Sequence, residues 1–371
     1  MELKKVGDFL TESKISGEDD IHKRLTVKLN LKGIYPRDTN AIEKEGATKQ
    51  FIRKSGQFIY GKQNLFKGAF GIIPKHLDGY LSSSDIPSFD FNDKINSKWF
   101  FYYFSRKNFY QKLENLSTGT GSKRVSPKDF LKIMLYIPPL DEQEKIADFL
   151  YLVDKKIELM EKTLVLYERY IKYIKSNYFD NMKNYENIKF KNLILKGKAG
   201  GTPKSTIESY YNGEIPFLSI KDMTTQGKYI NTTEKTITKE GLNNSSAWMI
   251  PKNSILYSIY ASIGLVSINN INLTTSQAIY GIILKDNVNN SYIYHYLNDF
   301  RRFIHRFIET GTQGNINSNT VKNININLPP LEEQLKISNF FDLLDLKLNK
   351  IKNKIEIYRN FKSYLIQNMF I

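Results

Sequence analysis

Apolar residues follow two regimes along the chain. Across residues 1–136 and 188–327 they come in short aromatic and β-branched runs separated by Gly, Pro, Asn and Ser, as in Phe58-Ile59-Tyr60-Gly61, Ile255-Leu256-Tyr257-Ser258-Ile259-Tyr260 and Ala278-Ile279-Tyr280-Gly281-Ile282-Ile283-Leu284. Such runs predict the strands of α+β globular domains. Short helices are expected over 99–116 and 291–308, the first carrying Arg106 and Lys107, the second Arg301, Arg302 and Arg306. After each globular region the spacing changes to alternating steps of four and three. It runs through Ile146, Leu150, Val153, Ile157, Met160, Leu164, Tyr167, Ile171, Ile174 and Tyr178, and again through Ile337, Phe341, Leu344, Leu348, Ile351, Ile355, Tyr358 and Leu365. These are heptad seams. The second breaks once, at Lys362, where the first has Ile171.

The two regimes repeat because the chain repeats. Ile137-Pro138-Pro139-Leu140-Asp141-Glu142-Gln143-Glu144-Lys145-Ile146 recurs as Leu328-Pro329-Pro330-Leu331-Glu332-Glu333-Gln334-Leu335-Lys336-Ile337. The same register continues without a gap through Phe149 and Phe340, Asp154 and Asp345, Tyr167 and Tyr358, and Phe179 and Phe370. Two prolines force an extended backbone, and the acidic pair after them suits the positive end of a helix dipole. A long helix is therefore expected after each diproline, about 55 to 60 Å at 1.5 Å per residue. Such seams are either core-facing stripes of a bundle or a coiled coil, and their length favours the coiled coil. Pairing within the chain is the economical solution, with homodimeric pairing as its competitor. The expected division is 1–137 globular, 138–185 helical, 186–328 globular and 329–371 helical, a pseudo-twofold internal repeat.

Composition narrows the class. The chain has 371 residues, 41% hydrophobic and 25% charged, which suits a soluble globular protein. No segment reaches the length of a membrane span, and no apolar run follows the charged N-terminus, so the cytoplasm is the expected compartment. Absence of cysteine excludes disulfides and cysteine-held zinc or iron-sulfur sites. The four histidines, His22, His76, His295 and His305, include no pair at helical ligand spacing, so no metal site is expected. With 54 Lys+Arg against 38 Asp+Glu the net charge is +16, which points to a polyanionic partner, nucleic acid first, or else to a Lys-rich solvated surface.

No catalytic constellation emerges. Gly56-Gln57-Phe58-Ile59-Tyr60-Gly61-Lys62-Gln63 approaches a phosphate-binding loop, but Gln63 replaces the hydroxyl residue that would ligate magnesium and the interior reads as a strand. Lys62 on a strand or turn near DNA is the better reading. Neither diproline follows Asn or Asp, so neither resembles an amino-methyltransferase loop, and Glu12-Ser13-Lys14 only loosely suits a nuclease.

Two globular regions, each followed by a P-P-L-[DE]-E-Q helix, resemble the specificity subunit of type I restriction-modification systems over essentially the whole length. The second half carries the fuller pattern in order: Ala199-Gly200-Gly201-Thr202-Pro203-Lys204, Ile215-Pro216-Phe217-Leu218-Ser219-Ile220-Lys221-Asp222, Ala261-Ser262-Ile263-Gly264, Thr274-Thr275-Ser276-Gln277-Ala278 and Thr310-Gly311-Thr312-Gln313-Gly314-Asn315-Ile316. The first half lacks the Gly-Thr-Pro element but keeps a late loop, Ser117-Thr118-Gly119-Thr120-Gly121-Ser122-Lys123-Arg124. Its other elements look like a different subclass of the same domain.

The resemblance implies an α+β protein of two target-recognition domains whose long helices pair as an antiparallel coiled coil. It implies a non-catalytic subunit that reads a split, asymmetric sequence of double-stranded DNA, one part per domain, while the helices fix the gap. Helices of that length span more than the roughly 34 Å of one DNA turn. Two methyltransferase subunits using S-adenosylmethionine, and restriction subunits driven by ATP with Mg, would supply the chemistry, with no cofactor on this chain. Expected DNA-contact residues are Lys62, Thr118, Thr120, Ser122, Lys123 and Arg124 in the first half and Lys204, Lys221, Tyr260, Ser262, Thr312, Gln313 and Asn315 in the second. Two other classes stand beside this one: a stand-alone DNA nuclease or methyltransferase with an unrecognised active site, and a basic coiled-coil scaffold.

Overall fold

The computed structural model describes residues 2–38, 48–117, 122–182, 184–307 and 315–370. Its plan follows from the two diprolines. Strand Met134–Ile137 gives way to a helix over Leu140–Asp180, and strand Asn325–Leu328 to one over Leu331–Asn368. Proline has no amide to donate, but its carbonyl still accepts, and Pro139 and Pro330 take the amides of Glu142 and Glu333 at 3.1 and 2.9 Å. At 41 and 38 residues each helix rises about 60 Å.

The motif glutamine ties each helix to its globular region. Gln143 donates to the Pro138 carbonyl at 3.0 Å and accepts from the Asn96 amide at 2.9 Å; Gln334 donates to the Pro329 carbonyl at 2.9 Å and accepts from the Asn289 amide at 2.8 Å. Both side chains are buried. Asn96 and Asn289 in turn cap the helices Ser97–Phe104 and Asn290–Phe300 by accepting from the Trp99 and Tyr292 amides.

Contacts divide the chain into two compact units, Met1–Lys162 with Asn353–Ile371, and Thr163–Lys352. Each holds one globular region and a stretch of both long helices, and in each the helices run antiparallel. In the first unit Asp154 pairs with Lys362 at 2.5 Å and Glu161 with Arg359 at 2.5 Å. In the second, Glu168 pairs with Lys352 at 2.8 Å and Lys175 with Asp345 at 2.9 Å. The seam break at Lys362 is thereby explained: its amine has a carboxylate opposite.

The first unit pairs its named strands antiparallel throughout. A four-stranded sheet runs in the order Leu10–Ser13, Ser88–Phe91, Phe58–Tyr60, Phe70–Ile72, and a three-stranded one in the order Ser16–Gly17, Gln50–Ile52, Leu81–Ser83. Glu2–Lys5 pairs with Met134–Ile137. Its core is aromatic, Phe58, Tyr60, Phe70, Phe89, Phe100, Phe104 and Phe130, with Phe58 and Phe130 stacked at 5.5 Å. Phe370, at the end of the second long helix, packs on Trp99 and Tyr103, and Arg106 donates to its carbonyl at 2.9 Å.

The second unit uses different topology. Its five-stranded sheet runs Ile194–Ala199, Ile279–Leu284, Ile255–Ser258, Val266–Asn269, Tyr229–Ile230, with the last pair parallel. A three-stranded sheet runs Lys235–Ile237, Tyr211–Leu218, Thr274–Thr275, again with one parallel pair. Glu186–Lys189 pairs with Asn325–Leu328, as Glu2–Lys5 does in the first unit. The core is built from Ile255, Ile268, Ile282, Ile293 and Leu297 with Tyr257, Tyr280 and Tyr292, and Phe179 packs on Tyr292, Tyr296 and Phe341.

The short helices expected over 99–116 and 291–308 are each broken. Ser97–Phe104 stops at Ser105, whose hydroxyl donates back to the Phe101 carbonyl at 2.7 Å, and Arg106 turns extended before Lys107–Tyr110 and a tighter turn over Gln111–Leu116. Asn290–Phe300 tightens to a 3-10 helix over Arg301–Phe307. Gly56-Gln57-Phe58-Ile59-Tyr60-Gly61-Lys62-Gln63 holds the buried strand Phe58–Tyr60, not a phosphate loop.

Candidate nucleic-acid interface

Five separated motifs of the second half meet at one end of its sheets. The Gly200 amide donates to the Ile279 carbonyl and the Gly201 amide to the Thr275 carbonyl, both at 3.0 Å. A side chain on either glycine would collide: a Cβ on Gly200 would sit 2.2 Å from the Thr275 carbonyl oxygen, and one on Gly201 2.1 Å from Ser246 Oγ. Ser276 donates to the Leu218 carbonyl at 3.2 Å, Ile259 to the Ala278 carbonyl at 2.9 Å, and Ile316 to the Ile259 carbonyl at 3.1 Å. The Gly-Gly-Thr-Pro, Thr-Thr-Ser-Gln-Ala, Leu-Ser-Ile-Lys and Tyr-Ala-Ser-Ile-Gly segments and the end of the late loop are therefore neighbours.

The turn over 260–264 carries stored strain. Ala261 and Ser262 both have positive φ, 43° and 47°, a costly conformation for two successive residues with side chains. Buried Ser258 holds it: its hydroxyl donates to the Ser262 carbonyl at 2.8 Å and accepts from the Leu265 amide at 2.8 Å. Arg301 Nε donates to the Ile263 carbonyl at 3.1 Å, so this arginine shapes the turn from outside. Tyr260 and Ser262 stand exposed on it, and Asn315 adjoins them through Ile316. Arg302 pairs instead with Asp180 at 2.5 Å.

Lys204 is exposed just past Pro203. Lys221 lies on the helix Ile220–Gln226, capped by Ser219, where a hydrogen bond to Glu234 at 2.7 Å raises its pKa. Thr312 and Gln313 lie outside the described residues, as do Thr118 and Thr120 of the first half.

In the first unit Lys62, Ser122 and Arg124 come together. The Lys62 amide donates to the Asp85 carbonyl at 3.0 Å, and its carbonyl accepts from Val125 at 2.9 Å. Arg124 pairs with Asp85 at 3.3 Å. With its amide oxygen turned toward the donors, Gln63 accepts from Arg124 Nη2 at 2.8 Å and from Ser122 Oγ at 3.3 Å. Lys123 points elsewhere, to Glu114 at 2.7 Å. Both ion pairs are solvent-exposed, so a phosphate can replace either carboxylate at small cost.

Ser258 and Asp85 were not singled out by sequence; Arg301 was noted only as a basic residue of a short helix, and Gln63 only as a departure from a phosphate loop. Glycine and hydroxyl content marks the loops, but nothing local marks the residues that brace them.

The long helices present a second surface. Phe149 and Phe340, Leu152 and Leu343, Leu166 and Ile357, Tyr170 and Phe361, and Tyr173 and Tyr364 occupy equivalent places in the repeat, and each is at least 44% exposed. On each helix they fall at heptad spacing, forming a stripe beside the buried seam.

Among the described residues no group of three or more His, Asp or Glu is arranged to hold a metal ion, and no helix is long and apolar enough to cross a membrane.

A family model for the type I restriction modification DNA specificity domain matches residues 2–166 and again 182–359. The MjaIX type I restriction enzyme specificity subunit of Methanocaldococcus jannaschii is 31% identical over 175 residues, covering 46% of this chain and 40% of that protein. The EcoR124I/EcoR124II specificity subunit of Escherichia coli is 32% identical over 169 residues, covering 43% and 40%. The chain thus spans about two fifths of the length of these relatives. Among solved structures, a chain of a type I restriction-modification complex superposes with a TM-score of 0.65 at 14% identity, over 100% of this chain and 97% of that one. The HsdS subunit of Thermoanaerobacter tengcongensis gives 0.55 at 17% identity, over 100% and 96%. At these identities the superpositions show a common fold.

Proposed function

This chain belongs to the type I restriction modification DNA specificity family, and on that premise we propose that it is the non-catalytic subunit that reads a bipartite, asymmetric DNA target, one half-site per globular region. One observation carries the reading: a single family domain occurs twice in the chain on two different sheet topologies. Identical readers would suit a palindrome; unequal ones suit an asymmetric target.

The proposed contacts are Lys62, Ser122, Lys123 and Arg124 with Thr118 and Thr120 for one half-site, and Lys204, Lys221, Tyr260, Ser262 and Asn315 with Thr312 and Gln313 for the other. The division at 1–137, 138–185, 186–328 and 329–371 separates readers from helices that set the gap. Two modification subunits are the proposed occupants of the exposed helix stripes, whose five matched pairs of apolar residues offer the same surface twice. These partners would bring S-adenosylmethionine, and restriction subunits ATP and Mg, with the assembly working in the cytoplasm.

Single-molecule methylation sequencing of the host genome, with the gene intact and deleted, tests the reading. Loss of adenine methylation at one split motif is expected. An unchanged methylome contradicts it.

A further inference from the structure

Beside Lys62 the first unit is hollowed by a cavity of about 330 Å³ whose walls include Glu12, Ser13, Lys14, Arg53, Lys62 and Lys128. Arg53 is 1% exposed. Its guanidinium donates only to neutral oxygens, Ser82 Oγ at 2.6 Å, Ser88 Oγ at 3.0 Å, and the Ser13 and Ile86 carbonyls at 3.1 Å. No carboxylate lies within ion-pairing distance of it among the described residues, and Glu12, which also lines the cavity, acts on it only through its field. Burial pulls its pKa down to about 10, which still leaves it cationic at neutral pH. A buried charge with its hydrogen bonds made but no counter-charge is costly unless an anion completes it.

The neighbouring carboxylates are already committed. Glu12 pairs with Lys14 at 2.9 Å, Asp85 with Arg124 at 3.3 Å and Asp129 with Lys132 at 3.1 Å. Lys62 and Lys128 make no ion pair among the described residues. Lys14, Arg53, Lys62 and Lys128 therefore face one cavity whose lining carries a single carboxylate, Glu12, already paired with Lys14. Ser13, 6% exposed, also lines it, and its buried hydroxyl has no hydrogen-bond partner among the described residues.

We propose that this cavity is a phosphate site, in which Lys62 and Lys128 hold one backbone phosphate of bound DNA within the field of the Arg53 guanidinium. The inference rests on the DNA reading above and adds a contact to it. Side-chain cations supply the charge here, unlike the backbone amides of a phosphate-binding loop. Lys62, on the cavity wall, also donates its amide to the Asp85 carbonyl, beside the Gln63 and Arg124 contacts. A phosphate contact fixes position on the duplex without reading sequence, so its loss weakens binding to every sequence alike.

The test measures binding of the full chain to a mixed-sequence duplex across a salt series, for the unaltered protein, Lys62→Ala, Lys128→Ala and the double variant. The double variant is expected to reduce the slope of log K against log salt by about 0.9, the value of one phosphate, and each single variant by part of that. Lys62→Arg is expected to restore the slope, and Lys145→Ala, on the first long helix, to leave it unchanged. Thermal midpoints close to that of the unaltered chain separate loss of contact from loss of fold. Inorganic phosphate that raises the midpoint of the unaltered chain but not of the double variant, with unchanged DNA slopes, would make this a free-anion site and overturn the DNA source. Unchanged slopes with no phosphate response overturn the site altogether. Absence of salt-sensitive DNA binding by the unaltered chain overturns the DNA reading itself.

Discussion

Asp154 and Asp345 hold the same place in the repeat, yet one sits in a small polar node and the other in a large one. Asp154 accepts from the Tyr102 hydroxyl at 2.8 Å and pairs with Lys362 at 2.5 Å. Asp345 pairs with Lys175 and lies 3.9 Å from Nδ1 of the fully buried His295. The other ring nitrogen of His295 meets Asp342 at 2.7 Å, and Asp342 also takes Lys228 and, at 2.9 Å, the Ser291 hydroxyl. Tyr102 and His295 stand at the same position relative to the capping asparagines, and the lysine shifts by one helical turn: Lys362 answers to Ile171, and Lys175 to Ile366. The repeat therefore keeps its frame, the glutamine tie and the antiparallel helices, while the polar chemistry inside that frame is exchanged. The sheets follow the same rule, with a common closing ribbon and different strand orders above it.

This difference sets an order of expected effects. Asp345→Leu leaves Lys175, only 10% exposed on its side chain, without its counter-charge and should cost about 3 kcal/mol in denaturant unfolding of the full chain. Asp154→Leu, in the more open node, should cost about 1 kcal/mol. Equal losses would show that the nodes do equal work. The glutamine ties should behave oppositely: Gln143→Leu orphans one buried amide and one carbonyl, Gln334→Leu also the weaker Asn287 carbonyl contact at 3.3 Å, and each should cost about 2 kcal/mol. A clear inequality there would break the claim of a common frame.

Acid should separate the nodes next. Burial lowers the pKa of His295 from its ordinary 6.5, against the hydrogen bond it donates to Asp342, with Lys175 and Lys228 lowering it further. The unfolded chain then binds a proton that the folded chain refuses, so stability is full above pH 6.5 and falls as pH drops below it, by at most about 1.4 kcal/mol per pH unit. Although burial opposes it, hydrogen bonds from His295 and Lys228 hold Asp342 well below its ordinary 3.8, so its contribution is present above that value and is lost only at lower pH. Burial, then Asp154, raises the pKa of Tyr102, which keeps the phenol neutral through this range. His295→Tyr should therefore abolish the loss that sets in below pH 6.5, read by unfolding at a series of pH values; an unaltered acid slope would contradict the assignment. Smallest of all, Lys123→Ala with Arg124→Ala should change stability by less than about 0.5 kcal/mol, since both pairs are exposed.

The frame was legible in the sequence because it is written locally. Two prolines, an acidic pair and a heptad seam state where a helix begins and which face it buries, and repetition of the whole segment states that there are two. The role of Gln143 and Gln334 was not legible, since Asn96 and Asn289 lie far upstream and share no pattern with them. Lys362 read as a defect in the seam because its partner, Asp154, is on the other helix. Strand order was hidden for a similar reason: the parallel pairs of the second unit join segments that only the folded core brings together. The end of Ser97–Phe104 was missed because the apolar run continues past Ser105, while one hydroxyl bond to Phe101 ends the helix. At the candidate interface, loop composition marked Arg124 and the family resemblance marked Tyr260 and Ser262, whereas Ser258 and Asp85 look like ordinary core and surface residues, and Arg301 read only as a basic residue of a short helix.

The division of labour between the two globular regions is tested most directly by the methylome of a host carrying Lys123→Ala with Arg124→Ala in this chain. One half of the split motif should lose its strictness or its methylation while the bases of the other half remain required. Relaxation of both halves together, or of neither, would contradict the account.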